Sequence, residues 1–225
     1  MLFATSASAI RSLQLGEGAT GDWTYDAGTQ TWVTTSTEFQ LLATANADGS
    51  EDYAWDAEGA STQTAYLVVS ATPKTMDDET FNITLSNDSA SLRMVSYGYG
   101  TPPLSDSNAL APHGIFDTYF EVYEFTFDGT AGMISNTQPG ETGMGEGYEE
   151  TFDVVINSVI DGGGVHFDLF TMEGDGLLVL GGEKEMNAFA AFSHDAEYTS
   201  AIPEPAAALV FGVGLLVVGS RVRRE

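Results

Sequence analysis

Apolar and polar residues alternate with a period of two in several segments of this chain. In Thr151–Ile160, Phe152, Val154, Ile156 and Ile160 fall on one face. In Thr80–Ser86, Phe81, Ile83 and Leu85 do the same. In Val165–Thr171, Val165, Phe167 and Leu169 point one way, and His166 and Asp168 the other. Further strand-like runs cover Thr31–Ala45, Thr64–Ala71, Ser91–Tyr97, Thr118–Asp128 and Ala188–Ser193, each bounded by turn-forming residues. Tyr119–Phe127 carries Phe120 and Val122 on one face and Tyr123, Phe125 and Phe127 on the other. That pattern predicts a bulge or a strand buried on both faces. The Gly- and Glu-rich stretch Asn136–Glu149 is predicted to be an exposed loop. No segment before the C-terminal tail keeps a long 3.6-residue apolar period. About eight short strands between turns predict an all-β fold, a β-sandwich or jelly roll.

The pattern changes near the C-terminus. Ala206–Ser220 is a run of uncharged, mostly apolar residues, preceded by Pro203, Glu204 and Pro205 and followed by Arg221, Arg223 and Arg224. As a helix it rises about 22 Å, against roughly 30 Å for the hydrocarbon core of a bilayer. It is therefore short for a permanent transmembrane helix. Arginines kept on the cytoplasmic side would leave the rest of the chain outside. This arrangement resembles the PEP-CTERM sorting signal. The resemblance implies export by a bacterium, transient anchoring in the inner membrane and processing near the motif by an exosortase-type protease. Export also calls for a signal peptide. Residues 1–9 end in Ala7-Ser8-Ala9, an A-x-A cleavage pattern, but lack a basic start. They read as the remnant of a signal peptide. The expected organisation is 1–9 signal remnant, 10–200 ectodomain and 201–225 sorting tail, with an apolar helix over 206–220.

Charge narrows the partners. The chain has 33 acids and seven Lys plus Arg, and no cysteine. Three of the seven bases lie in the last five residues, so the body of the chain is even more acidic than the whole. Such a surface repels phosphate backbones and disfavours nucleic-acid partners. The missing cysteines exclude disulfides and thiolate metal sites.

Four segments resemble the choice-of-anchor N family: Tyr97–Pro103, His113–Glu121, Val165–Phe170 and Ala191–Asp195. That family carries one similar ectodomain on different C-terminal anchors. The resemblance implies location and architecture and no particular chemistry. All three histidines, His113, His166 and His194, fall inside these segments, each near an acid: Asp117, Asp168 and Asp195. Their convergence with Asp168 or Asp195 would make a divalent-metal site of the zinc type. The alternative is that each histidine satisfies a turn or a strand end by hydrogen bonding. Asn46–Asp52, with Asp56 and Glu58 nearby, resembles part of a calcium loop but lacks the closing Glu. No established cofactor follows from the sequence; zinc or calcium is the open possibility.

No nucleophile elbow, phosphate loop or dinucleotide fingerprint is present. No catalytic residues are assigned, and the expected role is non-enzymatic, structural or adhesive, at the cell surface or in the extracellular matrix. Two alternatives remain. One is an exopolysaccharide-binding module using Trp23, Tyr25, Trp32, Tyr53 and Trp55, residues that would equally suit a sandwich core. The other is a secreted metal-dependent hydrolase.

Overall fold

The computed structural model describes residues 13–46, 64–72, 81–100, 117–127, 131–141, 143–160, 162–172, 186–189 and 195–200. These residues form two packed β-sheets and no helix. The first sheet contains β1 (Leu13–Glu17), β4 (Glu38–Asn46), β10 (Met144–Ser158) and β6 (Asn82–Asn87), in that order. A short strand, β9 (Gly132–Ser135), pairs with the start of β10. The second sheet runs β2 (Trp23–Asp26), β3 (Thr31–Thr34), β13 (Ala196–Thr199), β11 (Gly164–Met172), β5 (Thr64–Thr72), β8 (Thr118–Thr126), β7 (Arg93–Gly100). β12 (Met186–Phe189) pairs with the far end of β11. Among the described residues every pairing is antiparallel except β13 with β3, which is parallel.

The alternation read from sequence is the alternation that packs. Phe152, Val154 and Ile156 from β10 meet Val165, Phe167 and Leu169 from β11 in one core. Aromatic rings tie the two sheets together edge to face. Phe125 and Phe152 have centroids 4.9 Å apart at 86°, and Phe39 and Phe167 lie 5.9 Å apart at 85°. Trp32 crosses the interior, and its indole N–H donates to the Thr137 carbonyl at 3.1 Å.

β8 resolves the ambiguity of Tyr119–Phe127. Tyr123, Phe125 and Phe127 join the main core, while Phe120 and Val122 join a second cluster with Tyr66, Val68 and Phe170. The strand is buried on both faces. Its pairing with β5 is regular, and the bulge falls in β7, between Met94 and Ser96. On the inner face, Tyr119 and Tyr123 donate their hydroxyls to the two oxygens of Glu121, at 3.0 and 2.5 Å. Burial, then the Glu121 charge, pushes Tyr119 up to about 12; burial and the hydrogen bond to Glu121 push Tyr123 higher still. A folded-state phenol pKa above the unfolded value stabilises the fold below the unfolded pKa, about 10, and loses that contribution as pH rises further. A spectrophotometric alkaline titration should therefore show two tyrosines that stay protonated past the others, with stability declining from about pH 10 upward.

Two expectations are corrected. Thr31–Ala45 is not one strand. The chain leaves β3 of one sheet at Thr34 and enters β4 of the other at Glu38. A turn makes the crossing: the Ser36 backbone N–H donates to Thr34 Oγ1 at 3.2 Å, and Ser36 Oγ accepts from the Asp22 N–H at 3.0 Å. Asn136–Glu149 is not all loop either, because β10 starts at Met144. Its strand signal is weak because glycine occupies buried positions there. A Cβ on Gly147 would lie 2.4 Å from the Ala45 carbonyl oxygen and 2.4 Å from Ile134 Cδ1. The neighbours fill the space that an apolar side chain would have marked in the sequence. Periodicity alone does not mark β1, β2, β9 and β13 as strands; each has only four or five residues.

Gly164 makes a second close approach and leaves no room for a side chain. A Cβ there would lie 2.3 Å from the Tyr198 carbonyl oxygen across the β11–β13 ladder. Gly164→Ala should force these strands apart and cost about 1–3 kcal/mol in urea unfolding. Among the described residues no helix is long and apolar enough to cross a membrane. Residues 1–9 and the expected helix over 206–220 lie outside the described residues.

Candidate metal centre

β11 is buried on both faces, and this gives its polar residues an unusual setting. Val165, Phe167 and Leu169 enter the main core. His166, Asp168 and Phe170 occupy the opposite face, where Phe170 belongs to the second apolar cluster. Asp168 is 2% exposed. The neighbouring strand β13 repeats the pattern: Ala196 and Tyr198 point into the main core, so Asp195 and Glu197 share the outer face with His166. Asp195, just ahead of β13, is 1% exposed. Register places His166 directly opposite Glu197 on β13 and opposite Ser70 on β5.

The side chains converge. His166 Nε2 lies 3.3 Å from Asp168 Oδ1 and 3.4 Å from Asp195 Oδ2. Its other nitrogen, Nδ1, lies 3.7 Å from Glu197 Oε2. Glu197 is itself held by Thr72, whose hydroxyl donates to Oε1 at 3.3 Å. Burial pulls the His166 pKa down, but the Asp168 charge and contacts with Asp168, Asp195 and Glu197 outweigh it and raise it well above the usual histidine value. The surrounding carboxylates thus favour the protonated imidazole over the neutral one. One imidazole and two carboxylates, with donor atoms all within 4.8 Å, can also hold a metal ion.

Of the residues singled out by sequence, His166, Asp168 and Asp195 are brought together. His113 and His194 lie outside the described residues, as do Pro203, Glu204, Pro205, Arg221, Arg223 and Arg224. Sequence reasoning missed Glu197 and Thr72. Their signal is weak: the Asp-x-Glu of 195–197 mirrors the His-x-Asp of 166–168, but β13 is too short to read as a strand. Of the calcium-loop stretch only Asn46 is described; it ends β4 and is 1% exposed.

Trp23, Tyr25 and Trp32 serve the core. Trp32 is 7% exposed, with Tyr25 packed edge-on at 5.4 Å. Trp23 packs edge-on against Phe39 at 5.2 Å, and its indole N–H donates to the Thr20 and Gln40 carbonyls at 3.0 and 3.2 Å. Gln138 donates its amide to the Tyr25 hydroxyl. Tyr53 and Trp55 lie outside the described residues. No family model matches the chain, and no curated protein matches it.

Proposed function

We propose that this chain is an exported bacterial surface protein: an acidic β-sandwich delivered to the cell exterior and released from a transient membrane anchor, with a structural or adhesive role. The observation that carries this reading is the order Pro203-Glu204-Pro205, apolar run, arginine cluster at the C-terminus. A two-sheet body with a net charge of −26 for the whole chain is compatible with it, since like-charged surfaces stay soluble and dispersed outside the cell. The resemblance of the tail to PEP-CTERM signals makes an exosortase-type protease the processing partner, and the resemblance of four ectodomain segments to the choice-of-anchor N family agrees with it.

The test is to express the full chain in a host that encodes such a protease and to follow it by fractionation and intact-mass analysis. The expected product is outside the inner membrane and has lost the residues after the Pro-Glu-Pro motif. Replacing Pro203, Glu204 and Pro205 by alanine should leave a full-length, membrane-held product. A cytosolic protein with an intact C-terminus would refute the reading.

A second reading, an exopolysaccharide-binding module, is supported by a different group of aromatics from those expected. Tyr97 and Tyr99, 65% and 48% exposed, stand two residues apart on the edge strand β7. They lie opposite Glu121 and Tyr119 of β8. Exposed rings next to a carboxylate suit stacking and hydrogen bonding to a sugar chain. If this surface binds polysaccharide, changing both tyrosines to alanine should abolish retention on an exopolysaccharide column without altering the unfolding temperature. Unchanged retention would remove the reading.

A further inference from the structure

We propose that His166 Nε2, Asp168 Oδ1 and Asp195 Oδ2 bind one zinc ion, which cross-links β11 to β13. The inference rests on no part of the export reading. It begins with distances. A charge-assisted hydrogen bond between an imidazolium and a carboxylate is about 2.7–2.9 Å long. Here the two oxygens are 3.3 and 3.4 Å from the same nitrogen. A single N–H cannot point at both, and neither is at the length a strong bond would take. An ion with bonds of about 2.1 Å in a tetrahedron sets its ligand atoms about 3.4 Å apart. An octahedral magnesium with bonds of the same length would set them only about 3.0 Å apart. The two nitrogen-to-oxygen spacings are nearer the tetrahedral edge than the octahedral one, and the three donor atoms lie within 4.8 Å of one another.

The donors agree with the geometry. Imidazole with carboxylates suits zinc, whereas calcium and magnesium take oxygen ligands almost exclusively. The surroundings agree as well. A zinc-bound histidine commonly directs its other ring nitrogen at a carboxylate, which fixes the ring and raises its basicity. Glu197 Oε2 faces His166 Nδ1 from the opposite side, and Thr72 orients that carboxylate. This arrangement distinguishes the cluster from a surface group of acids. Two of the three ligands are at most 2% exposed, on the buried outer face of a sheet.

The role is a clamp. β13 has four residues, wedged between β3 and β11. Asp168 and His166 come from β11, and Asp195 from the entry to β13, so an ion bound to all three fastens the short strand to its neighbour. Three protein ligands leave a fourth tetrahedral position for water or another donor.

The experiment uses the untagged full chain in detergent, stripped with a chelator and titrated with zinc, with calcium in parallel. One zinc per chain should bind, the unfolding temperature should rise with zinc and not with calcium, and cobalt in its place should give the intense visible absorption of a four-coordinate ion. Asp168→Asn and Asp195→Asn, close to isosteric and less prone to unfold the protein than larger changes, should each abolish stoichiometric binding. Glu197→Gln should weaken it about 10–100-fold while leaving one site. Far-UV circular dichroism of each variant checks that it has folded. Zinc binding that is substoichiometric, that calcium displaces at equal concentration, or that survives both asparagine variants would overturn the proposal. So would a folded wild-type protein whose unfolding temperature ignores zinc.

Discussion

Phe39→Ala should lower the unfolding free energy by about 4 kcal/mol, near the upper end for a single core substitution. Phe39 is 2% exposed and sits on β4 of the first sheet. It touches three aromatic partners: Trp23 at 5.2 Å, Phe167 at 5.9 Å and, stacked at 7° between planes, Tyr198 at 6.5 Å. Two of these belong to β11 and β13, so the ring is a joint between the two sheets. Truncation removes the buried area and leaves a cavity bordered by three rigid rings that collapse poorly, and both terms destabilise. It also removes packing from beneath β11 and β13, which carry the His166 cluster, so the proposed zinc affinity should fall in the same variant. Urea unfolding of the full chain gives the free energy, with Tyr97→Ala as the reference. That side chain is 65% exposed, and its loss should change stability by no more than about 0.5 kcal/mol.

The second large effect is at His166 itself. In chelator-treated protein, His166→Leu should cost about 3–5 kcal/mol, because it removes the group that faces two buried carboxylates and leaves their charges poorly compensated. His166 is 15% exposed at the side chain, against 3% and 2% for Asp168 and Asp195, so solvent screens the cluster little. Replacing all three residues together by leucine, asparagine and asparagine should recover most of the loss, since it removes the charges as well as their partner. The pair of measurements separates the cost of losing the imidazole's charge from that of lost packing. Equal destabilisation in the single and the triple variant would show that packing dominates at this site.

Much of this is visible in the residues. Phe152, Val154 and Ile156, or Val165, Phe167 and Leu169, announce strands because a pleated backbone sends alternate side chains to opposite faces. Phe120 and Val122 against Tyr123 and Phe125 announce either a bulge or burial on both faces of β8, and packing decides for the second. His166 and Asp168, two apart on one strand, are bound to be neighbours. Other features are invisible for definite reasons. Gly145 and Gly147 stand at buried positions of β10, and glycine carries no apolar signal. Thr31–Ala45 has a continuous β-prone composition, and only the Thr34–Ser36 turn divides it between the sheets.

The sequence by itself determined the β class, the acidic composition and the separate character of the C-terminal tail, because each depends on residue type and local period alone. Only the tertiary structure decided that β13 inserts between β3 and β11, parallel to one and antiparallel to the other. That insertion brings Asp195 and Glu197 to His166. Period two fixes which face a residue occupies but not which strand lies beside it; partner and register are set by long-range packing.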